Sequence, residues 1–131
     1  MPAIVKPSRS LRKYFSRVQE LLKEMVVEGI AAERALQPLI SDPSEQARSR
    51  EKSIHGEQLA MATRRLQVLE TLAPPPEAQH IHAAYMKAFT FAVEARAQSF
   101  QGNDFRASAA HQIASDALGS TTEMWPLLGL P

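Results

Sequence analysis

Residues 8–39 read SRSLRKYFSRVQELLKEMVVEGIAAERALQPL. Within this stretch Leu11, Phe15, Val18, Leu22, Met25, Gly29, Ala32, Leu36 and Leu39 recur with alternating four- and three-residue spacing. Side chains so spaced lie along one face of an α-helix, and a seam this long needs a neighbouring helix to cover it. Ser8 or Ser10 can cap the start, because a serine oxygen accepts a free N–H of the first turn. Pro38 has no N–H to give and ends or kinks the helix near Gln37. Gly29 and Ala32 are small, so the seam predicts a close approach by another helix or a large side chain at that height.

The rest of the chain repeats the pattern. After the turn Ser41-Asp42-Pro43-Ser44, Asp42 or Ser41 is the expected cap and Pro43 suits the first helical position. Residues 44–53 are polar on every face, and predict a frayed start or a helix projecting past the core. A stripe of His55, Leu59, Ala62, Leu66, Leu69 and Ala73 follows, then Pro74-Pro75-Pro76 forms a stiff break. The third stripe is Ala78, Ile81, Tyr85, Ala88, Phe89, Ala92 and Arg96. Gly102 suits helix termination, and Asn103 or Asp104 the next cap. The fourth stripe, Ala110, Ile113, Ala114, Ala117, Leu118, Thr121, Met124 and Trp125, is expected to stop at Pro126 or to break earlier at Gly119-Ser120. The apolar tail 127–131 is expected to pack on the bundle end. The fold expected is all-α, an up-down-up-down antiparallel four-helix bundle. One domain spans residues 1–131, with helices near 9–37, 44–73, 77–100 and 104–124.

Composition narrows the chemistry. The 131 residues include no cysteine, so disulfides, thiolate metal sites, a cysteine nucleophile and covalent haem attachment are excluded. The formal charge is +1, too small to set up a global field for nucleic acid or an anionic surface. Lys6, Arg9, Arg12, Lys13, Arg17 and Lys23 make the first helix basic against Glu20 and Glu24, and the spread reads as a solvated face. Nucleic-acid binding through this helix remains a minor alternative. No apolar run reaches the ~20 residues needed to cross a bilayer. The short apolar stretch at Ile4-Val5 does not make a signal peptide. The chain as given reads as cytoplasmic, or extracytoplasmic if a signal segment has been removed.

The four histidines are the only candidate cofactor ligands. His55 lies in its stripe, His82 and His111 at the edges of theirs, and His80 points outward. In an up-down bundle His55 and His82 fall near opposite ends, which argues against a shared metal. Glu77-Ala78-Gln79-His80 matches one arm of a di-iron site, but the second arm is missing. Neither His55 nor His82 is followed by the lysine and glycine usual in histidine phosphotransfer bundles. No glycine-rich phosphate loop or Gly-x-Ser-x-Gly turn occurs. Arg65 and Arg96 lie among apolar turns and need a carboxylate or water; Glu28, Glu57 and Asp116 are the candidates by periodicity. Arg96 is expected to reach solvent at the far end of its helix, or else to make an anion-binding end to the bundle.

Residues 73–118, through Pro74-Pro75-Pro76-Glu77, His82, Tyr85, Ala88-Phe89 and Gly102-Asn103-Asp104, resemble the helical hairpin of uncharacterised bacterial helical-bundle proteins, several of them extracytoplasmic lipoproteins. The chain lacks the lipidated cysteine of those proteins. The resemblance implies a binding or scaffolding role and assigns no site residue.

No catalytic, cofactor or metal residue follows from the sequence. The leading expectation is a non-enzymatic bundle that contacts a protein partner or forms a homo-oligomer, motivated by the polar segment 44–53 and the apolar tail. The alternative is a small-ligand or metal carrier, with a pocket near Gly29, Ala32, Tyr85 and His111.

Overall fold

A computed structural model describes residues 6–131. It contains four α-helices, α1 (Arg9–Leu36), α2 (Glu45–Thr71), α3 (Gln79–Phe100) and α4 (Asp104–Leu127), and no strand among the described residues. They form a four-helix bundle in which α3 packs on α4 and α2, and α1 packs on α2. The helix ends follow local chemistry. The Leu11 N–H donates to Ser8 Oγ at 3.1 Å. The α2 cap is Ser44, whose Oγ accepts from the Ala47 N–H at 3.1 Å. Asp42, one of the two expected caps, instead accepts from the Ser44 N–H and shapes the turn before the helix. Arg48 reaches back to the carbonyl oxygens of Leu39 and Asp42 and ties the turn to α2.

Two glycines end helices with positive φ. Gly102 (φ 80°) lets the Asn103 N–H return to Gln98 O, which turns the chain from α3 into α4. Gly129 (φ 80°) does the same after α4, with the Leu130 N–H donating to Trp125 O at 3.1 Å. This cap explains why α4 does not stop at Pro126. A missing N–H and a proline ring are tolerated in the last turn when the following residues satisfy the free carbonyls. The same cap folds Leu130 onto the core at 8 % exposure, whereas Leu127 stays in solvent. Gly119 lies inside α4 without a break.

The core differs from the seam expected on α1. Tyr14 and Leu21 are buried with Leu11 and Val18, while Phe15, Leu22 and Met25 are only partly covered. The apolar band is therefore wider than the expected seam, and its centre lies toward Tyr14 and Leu21. On α2 the buried line is Ala47, Ile54, Gln58, Ala62, Arg65 and Leu69, turned by one position from the expected stripe through His55. Two polar side chains face inward on that line because α1 supplies partners. Gln58 Nε2 donates to Glu28 O, and Arg65 pairs with the Glu28 carboxylate. The polar start of α2 does not project past the core. Ala47 and Ile54 are buried, and Lys52 sits over the Phe100 ring. On α4, Ile113 is exposed, and Ala107, Ala110, Ala114 and Ala117 carry the contact. These alanines let α4 lie close against α3, since the distance between helix axes follows side-chain size at the contact.

Candidate functional site

The tight α3–α4 pair leaves α1 on its own side of the bundle. Along their backbones α1 and α4 barely approach each other, and side chains join them mainly at one end. There Trp125 stacks edge-on against Phe15 at 4.7 Å and lies 6.2 Å from both Tyr14 and Tyr85. Trp125 Nε1 donates to Tyr85 Oη at 2.7 Å, which satisfies both polar atoms inside the core. Away from this cluster the helices stay apart, and a groove opens between them.

The groove has two chambers. The larger, about 630 Å³, lies between Ile30 and Leu36 of α1 and His111 and Ala114 of α4, with Arg65 and Arg96 at its floor. The second, about 530 Å³, runs from Leu22 to Phe15, Tyr85 and Trp125. Met25, Val26 and Leu118 line both, so the chambers adjoin. Gly29 and Ala32 line the larger chamber. No close approach occurs at Gly29, where an added Cβ would meet nothing within 4 Å. The contact expected at Gly29 is thus replaced by open space, because α4 follows α3 and not α1. Of the four residues expected to share a pocket, Gly29, Ala32 and His111 line the larger chamber together. Tyr85 does not join them; it lines the second chamber and is bonded to Trp125.

The electrostatics of the floor are uneven. Arg65 is 6 % exposed, and its Nη1 pairs with Glu28 Oε2. Its Nε has no hydrogen-bond partner. Burial weakens the hold of Arg65 on its proton; the Glu24 carboxylate opposes this and the neighbouring Arg96 adds to it. Arg96 is half-buried and is likewise weakened by burial. Among the described residues no carboxylate pairs with it. Glu33 lines the same chamber from an exposed position without pairing with Arg96. Arg96 therefore does not simply reach solvent beyond the helix end; it faces the groove. Periodicity identifies both arginines and includes Glu28 among three candidate partners. It does not show that Glu28 pairs with Arg65 and leaves Arg96 without a carboxylate.

The histidines do not converge. Among the described residues no group of three or more His, Asp or Glu side chains is placed to hold a metal ion. His111 is exposed at the groove, and His80 is exposed on α3. His82 meets Tyr14, with Tyr14 Oη 2.7 Å from His82 Nδ1. Burial, with Tyr85 nearby, holds the Tyr14 phenol protonated well above its ordinary range, so its hydroxyl can donate to Nδ1 of a neutral His82 that carries its proton on Nε2. Burial also pushes the His82 pKa below its ordinary 6.5. The folded state thus binds a proton at His82 less readily than the unfolded chain. This contribution is complete above about pH 6.5 and is lost as pH falls through the folded pKa. Chemical denaturation of the wild type and His82→Asn between pH 7 and 5 tests it. Asparagine keeps an acceptor for Tyr14 but cannot titrate, so its stability should fall less with acid; parallel pH profiles would remove His82 as the source.

The basic face of α1 stays in solvent. Arg9, Arg12, Lys13 and Arg17 are exposed, and Arg17 pairs with Glu20 at 2.7 Å. No helix among the described residues is long and apolar enough to cross a membrane.

No family model, curated protein or solved structure matches this chain.

Proposed function

We propose that this chain is a non-enzymatic binding protein that holds a small apolar ligand in the groove between α1 and α4. One observation carries the reading: a two-chamber, mostly apolar groove with guanidiniums at its floor. Each chamber falls within the roughly 300–1,000 Å³ of small-molecule sites. Apolar walls with a few charged groups suit holding and orienting a ligand. They do not make a proton-transfer pair.

The features that favoured a protein-contact role are partly absorbed inside the chain. The polar start of α2 packs through Ala47 and Ile54, and the tail folds back at Leu130. Contact with another protein or a second copy stays as a second reading. It is supported by Val26, Ile30 and Ile40 at the groove's edge, exposed by 46–67 %. A dimer in sedimentation equilibrium that Val26→Glu breaks would favour this reading.

Titration with the neutral dye Nile red tests the ligand reading. Emission should rise to saturation with the wild type and stay flat with Gly29→Leu. That substitution puts a side chain into the open chamber while improving helix propensity by up to about 1 kcal/mol, so folding is preserved. A flat wild-type titration, or equal binding by Gly29→Leu, would remove the groove as a ligand site.

A further inference from the structure

The charge at the groove floor limits what the ligand can be, and the following inference rests on reading the groove as a ligand site. Arg65 and Arg96 lie close enough to repel, and Glu28 pairs with only one of them. Arg65 is nine-tenths buried with its Nε unpartnered, and Arg96 has no carboxylate among the described residues. A guanidinium left unpaired beside apolar walls is costly, and an anion supplied from outside relieves it. Glu28 balances Arg65, and Arg96 is the guanidinium of the floor without a direct carboxylate partner; with Glu24 and Glu33 also near the pair, the floor takes no more than one monoanionic head. A carboxylate matches the planar guanidinium fork and can take two parallel N–H donors. Beyond the arginines the lining turns apolar. Met25, Val26 and Leu118 lead from the charged chamber to the second one, which reaches Phe15 and Trp125.

We infer that the groove binds an amphiphilic monocarboxylate, a linear apolar chain with one carboxylate, with its head on Arg96 and its tail running along Met25 and Leu118 toward Trp125. Arg65, held by Glu28, lines the same chamber as Arg96 and adds to the positive potential there. The exposed Glu33 lies at the mouth of the same chamber. Its charge opposes any entering anion and a polyanion most, so a single carboxylate head meets the smallest repulsion.

The full chain would be titrated with decanoate, 1-decanol and decylammonium at about pH 8, where decanoate is ionised. Emission of Trp125, the chain's single tryptophan, and calorimetry would follow binding. Decanoate should bind about tenfold or more tightly than decanol, the change expected from one charge-assisted hydrogen bond, and decylammonium weakest. Arg96→Gln should bring decanoate to the level of decanol and leave decanol unchanged. If decanol binds as well as decanoate, or if Arg96→Gln keeps the preference, the carboxylate assignment is overturned while an apolar-ligand groove stands. If none of the three binds, both fall. Should Arg96→Gln fail to fold, the wild-type order of the three probes decides alone, because only the carboxylate benefits from a cation in the groove.

Discussion

Trp125→Ala is expected to destabilise the fold by about 3–5 kcal/mol, the range for large aromatic truncations in a core. Trp125 is 3 % exposed and touches three aromatic rings from two other helices, Tyr14 and Phe15 on α1 and Tyr85 on α3. It links α4 to α1, whose backbones barely approach each other. Its removal therefore creates a cavity where the bundle is closed by side chains alone. Tyr85 Oη would also lose its indole donor. Trp125→Phe separates the two effects: it keeps much of the ring contact and loses the hydrogen bond, and should cost about 1–3 kcal/mol. Urea denaturation followed by circular dichroism reads both. A cost below about 1 kcal/mol for the alanine variant would mean that the aromatic cluster does not close the bundle. For a fold stable by about 5–15 kcal/mol, the larger loss brings a visible population of unfolded chains.

Glu28→Ala is expected to cost about 3–5 kcal/mol, although it removes one short acidic side chain from a partly exposed position. The reason lies in what remains. Arg65, with its side chain 7 % exposed, would keep its charge without the Glu28 carboxylate. The double variant Glu28→Leu with Arg65→Met should recover most of the loss, because two apolar groups of similar size need no desolvation compensation. The pair is thus strongly non-additive, which a double-mutant cycle measures. A cost for Glu28→Ala under about 1 kcal/mol would match an exposed ion pair. It would show that Arg65 reaches water through the groove. The exposed pair Arg17–Glu20, with side chains 45 % and 61 % in solvent, is the internal contrast.

Much of the fold is legible because it rests on local rules. The spacing of Leu11, Val18 and Met25 demands a helix with one covered face. Pro38, Pro74-Pro75-Pro76 and Gly102 punctuate the chain where N–H groups are missing or φ must be positive. Helix count, helix order and most boundaries follow from these signals within two residues. The errors come where a local rule meets a distant partner. Pro126 reads as a stop, yet Gly129 and Leu130 cap the helix beyond it. His55 reads as a core position, yet Gln58 and Arg65 turn inward because Glu28 on another helix receives them. Leu22 reads as the centre of its face, yet Leu21 is the buried neighbour because the apolar band of α1 is wider than a two-position seam.

The candidate site was half legible for the same reason. Small residues at Gly29 and Ala32 signal something unusual at that height, and arginines at 65 and 96 signal charge near a core. Whether small residues draw a neighbour in or leave a gap depends on where that neighbour is held. Here the alanines of α4 commit it to α3, and the space beside α1 stays open. By itself the sequence determined the helices and their apolar faces, because periodicity and caps act within a few residues. Only the tertiary structure decided that α1 and α4 part, that Glu28 serves Arg65 and leaves Arg96 without a carboxylate, and that the gap becomes a groove. Those outcomes depend on which side chains from distant parts of the chain compete for the same contact.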